Sequence, residues 1–393
     1  MEKNERMERK RSRRASLSAE QRRKLSIMRS SSIPSPLTPV SHIYHMVPCP
    51  RKDCNQKYVV STDRSGDIHV HVQGIIPQPN RGDLSQQDKR CVFLTVHDLG
   101  TNHSTMVDFV NTPAMSEIKE RSCFIHIDVP GHEENSPDLP DSYQFPSLQT
   151  LGEDLITVLD FLHVRYAVGL GEGAGANILA RCGLAHPRRL LGLILVNCTA
   201  STSSVADAFR SRFSRWRGAD ISQSEEDFLI YHKFGHQISS DSSEGGDRDR
   251  TLTEYRSRLR GNLNTHNIKQ YVRAFINRKD LILRGCQPDI LLITGMLSPY
   301  NTVIEKMYKE LDKERVTILK VDRAGDVLAE TPAKIAQSLL LFCQGQGLLT
   351  SLPPPGVERR MSRAMSMEEY DKPNIRRLSL TPSVAESPPH RKL

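Results

Sequence analysis

Long apolar runs are missing from this chain, and no stretch reaches the roughly 18 consecutive apolar residues that cross a bilayer as a helix. The opening residues, MEKNERMERKRSRR, are charged and lack the apolar core of a secretory signal. A soluble cytoplasmic protein with no transmembrane segment is expected. Paired cysteine spacing is also missing. Of the eight cysteines, Cys91, Cys123, Cys198 and Cys343 sit inside apolar runs, where a reduced thiol behaves as a small hydrophobe, so no disulfide framework is expected. Cys49 and Cys54 bracket PRKD, but no second Cys or His pair follows at finger spacing, and structural zinc is not expected.

Net charge is absent from the middle of the chain although the whole carries +8. Residues 1–40 hold 11 Lys/Arg against 4 Asp/Glu, residues 351–393 hold 8 against 5, and the middle holds 35 against 37. A nucleic-acid or acidic-membrane surface is therefore not expected on the folded part. It remains open for the arm of residues 1–40, where the competing reading is a solvated tail.

With 393 residues of which 37% are hydrophobic, the chain has material for one sizeable core plus tails. Residues 1–45 are rich in Arg, Ser and then Pro, too poor in apolar side chains to offset the entropy of folding, and residues 351–393 form a second tail. From Tyr58 the texture changes. YVVST and DIHVHVQG read as a half-buried antiparallel hairpin with Ile68, Val70 and Val72 on one face. His69 and His71 fall on the other face, where solvent exposure is the expectation because no third metal ligand is in view.

Beyond the hairpin, apolar runs suited to buried parallel strands alternate with amphipathic stretches. The strands are CVFLTV at 91–96, CFIHIDV at 123–129, RYAVGL at 165–170, LLGLILVN at 190–197, DILLIT at 289–294 and RVTILKV at 315–321. Helices are expected at 147–163, 173–184, 300–312 and 331–344, giving a doubly wound, mostly parallel sheet with helices on both faces. About 200–287 has no convincing strand. There AFRSRFSRW, SEEDFLIYHKF, TEYRSRLRGNL and NIKQYVRAFINR read as an inserted helical cap, and SSDSSEGGDRDR reads as an exposed loop. Trp216 in that region either lines a pocket or, at helical spacing, fills core.

VGLGEGAGANILARCGLAHP at 168–187 has the strand, glycine-rich turn and helix of a nucleophile elbow, the device that presents a serine in α/β-hydrolases. Set against G-x-S-x-G, residues 169–173 put Gly171 at the nucleophile position, and glycine has no side chain to attack with. The acid position, in the turn after DILLIT, holds Ser298, and the base position, after the last strand, holds Asp326. All three are thus expected to be inactive equivalents. Two other readings of the glycines compete. One is a dinucleotide loop, which fits poorly because this is a middle unit and the next strand ends in Val196-Asn197 without an acidic residue. The other makes Glu172 a carboxylate nucleophile, displaced by one residue from the position that needs it. A vestigial pocket of His97, Asp98, Gly100 and Glu172 is expected, His97 and Asp98 either shaping an oxyanion hole or merely fastening the turn.

The HDLG turn at 97–100, DVPGHEENSPDLPDSYQFPSLQTLGEDL at 128–155, the glycine-rich elbow and GLILVN resemble the N-myc downstream-regulated (NDRG) family, and the resemblance covers about residues 58–350. It implies an α/β-hydrolase fold without hydrolase activity in a cytoplasmic protein connected with signalling, stress responses and differentiation. Glu172 departs from the apolar residue associated with that position in the family, and the long basic arm is atypical.

Basic residues repeatedly precede serine in both tails, at Ser16, Ser26, Ser362, Ser366 and Ser379, as the acidic groove of a basophilic kinase selects. Ser35, Thr38, Thr381 and Ser387 each precede proline and suit proline-directed kinases. The function expected is a non-catalytic signalling adaptor with no cofactor, binding unidentified protein partners and regulated by tail phosphorylation. The rival is an atypical hydrolase or small-molecule binder working through His97, Ser104 or Glu172.

Overall fold

The computed structural model describes residues 56–77, 79–80, 83–87, 90–201, 221–235 and 245–354. Both tails with their candidate phosphorylation sites, Cys49, Cys54, and the AFRSRFSRW segment with Trp216 lie outside the described residues.

Eight strands form one sheet: β1 (Gln56–Thr62), β2 (Gly66–Gln73), β3 (Cys91–Val96), β4 (Ser122–Asp128), β5 (Ala167–Glu172), β6 (Leu190–Val196), β7 (Asp289–Gly295) and β8 (Val316–Val321). Their order is β1-β2-β4-β3-β5-β6-β7-β8. β2 runs antiparallel to β1 and β4, and β3 to β8 are parallel. The helices that cross over are α1 (His103–Val110), α2 (Ser116–Glu120), α3 (Leu148–Phe161) and α4 (Gly173–Ala185). They are followed by α5 (Gln223–Phe234), α6 (Gly245–Gly261) and α7 (Thr265–Ile276), then α8 (Asn301–Lys309), α9 (Val327–Glu330) and α10 (Pro332–Gly345).

Side-chain alternation in the strands explains why helices cover both faces. In β3, Val92, Leu94 and Val96 enter a core shared with α3, α4 and the cap helices, while Cys91 and Phe93 enter a second core shared with α1 and α10. A central parallel strand buried on both sides takes apolar residues at nearly every position, and the one polar residue of CVFLTV, Thr95, has its hydroxyl paired with His126 Nδ1 at 2.7 Å. The six described cysteines are all buried as free thiols. No helix among the described residues is long and apolar enough to cross a membrane.

Three expectations need correction. The strand expected at 165–170 is displaced two residues toward the C-terminus, because its ladder with β3 runs from Phe93–Val168 to Val96–Gly171 and draws the first two glycines into the strand. The GGDRDR end of the expected loop is helical, forming the start of α6. His71 is buried, not solvent-facing, since β2 is an interior strand and α1 closes over its end; His69 is half-buried beside Glu133.

Candidate functional site at the elbow

A positive φ marks the tightest point of a strand-to-helix turn, and here it falls at Gly173, with φ of 52°. The sequence frame that centred the elbow on Gly171 is therefore corrected: Gly171 is an extended strand residue, and the glycine in the nucleophile's place is Gly173. Glycine at 171 has a packing reason, as a Cβ there would lie 2.8 Å from the Ala176 backbone. At Gly173 the obstruction differs in kind. A Cβ would sit 2.0 Å from Asp98 Oδ1, far inside non-bonded contact, so the Asp98 side chain would have to move.

Asp98 thus fills the volume that a nucleophilic side chain would need. It does so because β3 ends beside β5, in the register Val96–Gly171, and the turn after β3 folds over the start of α4. Ala174 N–H donates to Asp98 Oδ1 at 2.8 Å. In an active elbow the N–H of the residue after the nucleophile is an oxyanion-hole donor. The exposed N–H groups and dipole of a helix N-terminus attract an anion, and here the chain supplies its own. Burial alone would raise the Asp98 pKa, but the charge and hydrogen bond of His232, the Ala174 N–H and the Lys233 charge together hold it down at about 2.

His232 and Lys233 close the site from the cap. They end α5, which begins with a capping box between Ser222 and Glu225 and stops at Gly235 with φ of 75°. His232 Nε2 donates to Asp98 Oδ2 at 2.9 Å, and its Nδ1 meets the Tyr300 hydroxyl. Lys233 Nζ donates to both oxygens of Glu172 at 2.9 Å and lies 3.1 Å from Asp326 Oδ2. One ammonium cannot neutralise two buried carboxylates. Burial, followed by the nearby Asp326 and Asp98 charges, pushes Glu172 up to about 7 against the pull of Lys233. For Lys233, burial works against the charge, yet Asp326 and Glu172 outweigh it and hold the ammonium protonated.

Asp326 joins the site as described, and its Oδ1 also caps α9 by accepting from Ala329 N–H at 3.3 Å. Ser298 lies in the turn after β7, where its Oγ accepts from Tyr300 N–H at 3.3 Å. His97 has both ring nitrogens engaged. Nε2 accepts from Val129 N–H at 3.1 Å, which leaves Nδ1 to donate to the Asp98 carbonyl at 2.8 Å, and burial pulls its pKa down. It fastens the turn and has no free lone pair with which to act as a base. Gly100 adopts φ of 65° beneath Tyr255, whose hydroxyl would be 2.6 Å from a Cβ. Ser104 is buried, but its Oγ accepts from the Arg258 guanidinium at 3.3 Å, and a guanidinium cannot take a proton from it.

A cavity of about 190 Å³ opens beside this cluster, between the β3 turn, α6 and α9, and is lined by Ser104, Glu172, Lys233, Tyr255, Arg258 and Asp326 among others. The Tyr255 hydroxyl, buried in its wall, has no hydrogen-bond partner among the described residues. Sequence reasoning found Asp98, Glu172 and Asp326 but missed His232, Lys233, Tyr255 and Tyr300. The only available signal was the adjacent His-Lys pair closing an amphipathic segment of the cap.

Residues 58–350 match the model of the Ndr family. An uncharacterised protein of Caenorhabditis elegans is 37% identical over 336 residues, covering 84% of this chain and 96% of its own length. Protein NDRG1-A of Xenopus laevis is 31% identical over 318 residues, 78% of this chain and 75% of that protein. Among solved structures, an esterase from Thermogutta terrifontis superposes with a TM-score of 0.57 at 15% identity, over 74% of this chain and 99% of the esterase. A hydrolase from Pseudomonas aeruginosa PA01 gives a TM-score of 0.53 at 18% identity, over 73% of this chain and 97% of its own. At such identities the likeness concerns the α/β-hydrolase fold alone.

Proposed function

The chain belongs to the Ndr family, and from that premise we propose that it is a non-catalytic α/β-hydrolase-fold protein, a cytoplasmic signalling adaptor whose tails are switched by phosphorylation. One observation carries the non-catalytic part. The Asp98 carboxylate takes both the space of the nucleophile side chain and the Ala174 N–H that an oxyanion would need. A negative charge already seated there repels the developing oxyanion it should stabilise. Loss of a single nucleophile or base costs up to about a millionfold in a serine hydrolase, and here the hole that would sustain the remnant rate is filled as well.

What remains is a rigid scaffold between two long tails. Phosphorylation at Ser16, Ser26, Ser362, Ser366, Ser379 or Thr381 would add about two negative charges each, those at Ser16 and Ser26 offsetting part of the basic arm's charge and any of them creating an Arg-binding ligand for a protein partner. An arm of 11 cations against 4 anions could also bind an acidic membrane or nucleic acid, and the same phosphates would release it. Signal transduction, stress response or differentiation is the setting proposed for it.

The test is to phosphorylate the full chain with a basophilic kinase and compare its captured partners with those of a variant in which Ser16, Ser26, Ser362, Ser366 and Ser379 are alanine. Phosphate-dependent partners absent from the variant are expected. No incorporated phosphate, or identical partner sets, would count against tail regulation. A second reading, a small-molecule binder, has the cavity beside Glu172 and Lys233 in its favour, with the Tyr255 hydroxyl as an unused contact.

A further inference from the structure

Away from the elbow, His71 of β2, His103 at the start of α1 and Asp128 at the end of β4 bring three ligand atoms within 4.8 Å of one another, all buried. We propose that this trio is a binding site for a borderline divalent transition metal, with zinc as the natural occupant. It is independent of the reading of the elbow.

The geometry carries the proposal. His103 Nδ1 lies 2.8 Å and His71 Nε2 3.1 Å from the same oxygen, Asp128 Oδ2. Donors bound to one zinc at about 2.0–2.2 Å stand about 3.3–3.6 Å apart in a tetrahedral shell, so the three ligands must spread from their hydrogen-bond distances to admit an ion. The other carboxylate oxygen, Oδ1, accepts from His103 N–H at 2.6 Å and so aims Oδ2 at the two rings, the outer-shell bond that orients a ligand. His71 Nδ1 has no partner among the described residues and can take the ring proton when Nε2 gives its lone pair to an ion.

The imidazoles of His71 and His103 stack, with centroids 3.5 Å apart and planes inclined by 10°. Their in-plane lone pairs cannot meet at one ion in that arrangement, so binding requires one ring to swing out of the stack. The donor set of two imidazoles and one carboxylate suits zinc, cobalt, nickel or ferrous iron and disfavours calcium and magnesium, which prefer oxygen. In place, the ion would tie β2, α1 and β4 together, which is a structural role.

Because the three ligands are buried, loading would accompany folding, and the test is a refolding experiment on the full chain. Unfolded protein is refolded with one equivalent of Co²⁺, then of Zn²⁺, and in chelator, alongside the His71→Gln and Asp128→Asn variants. Circular dichroism checks that each variant folds. Expected are one bound Co²⁺ with visible d–d absorption and no thiolate charge-transfer band, its displacement by Zn²⁺, and a higher denaturation midpoint with metal than in chelator. Each folded variant should bind at least about 100-fold more weakly. Equal binding by a folded variant, a thiolate band showing that cysteines hold the ion, or a midpoint indifferent to metal would overturn the proposal.

Discussion

Asp98 Oδ1 accepts the Ala174 N–H at 2.8 Å, so a side chain from the β3 turn occupies the N-terminus of α4. The consequences for stability can be measured one residue at a time.

Asp98→Ala should cost about 3 kcal/mol or more in denaturant unfolding, since it strands the Ala174 and His232 donors inside the protein at about 1–3 kcal/mol each. Asp98→Asn, which keeps an acceptor for Ala174, should cost less. Equal losses in the two variants would mean that the hydrogen bonds are not what holds the turn.

Gly173→Ser should be destabilised and inactive, because its Cβ would meet Asp98 at 2.0 Å and φ is 52°. Adding Asp98→Ala removes the clash, so the double variant should be more stable than the sum of the single losses, by a coupling of about 1–3 kcal/mol. Strict additivity would place Asp98 elsewhere.

Lys233→Met leaves Glu172 and Asp326 facing each other without a cation and should cost about 3–5 kcal/mol. Combining it with Glu172→Gln and Asp326→Asn should recover part of that loss. Unfolding midpoints of the single and triple variants decide the matter.

Acid should destabilise the protein in a defined window. Burial depresses the pKa of His71, His97 and His126, and that of His132 to about 3, so each takes up a proton less readily in the folded state than in the unfolded chain, which protonates below about 6.5. The stability they contribute is complete above that pH and is lost as pH falls. Glu172 acts in the opposite sense: its folded pKa is raised to about 7, so its contribution is complete at low pH and lost as pH rises toward 7. Four groups against one predict a falling melting temperature from pH 7 to pH 5. Glu172→Gln removes the opposing group and should steepen the fall; a shallower one would contradict the assignment.

Most of the fold was legible because parallel strands buried on both faces write themselves as unbroken apolar runs; CVFLTV occupies β3 residue for residue. The elbow was legible as an elbow but not in register. Gly169, Gly171, Gly173 and Gly175 repeat with period two, so G-x-G-x-G fits in two frames, and only the ladder with β3 selects the later one. His232 and Lys233 left only the weak signal of an adjacent His-Lys pair, because the cap helix that delivers them is joined to the site by packing and not by spacing. His71 was misplaced for a related reason: alternation tells which residues share a face, not whether a neighbouring helix covers it.

The most direct test of the proposed non-catalytic reading is fluorophosphonate labelling of the purified full chain beside Ser104→Ala. A closed site gives no stoichiometric adduct, with wild type and Ser104→Ala alike at background. Stoichiometric labelling of the wild type that disappears in Ser104→Ala would show a working nucleophile and contradict the non-catalytic reading.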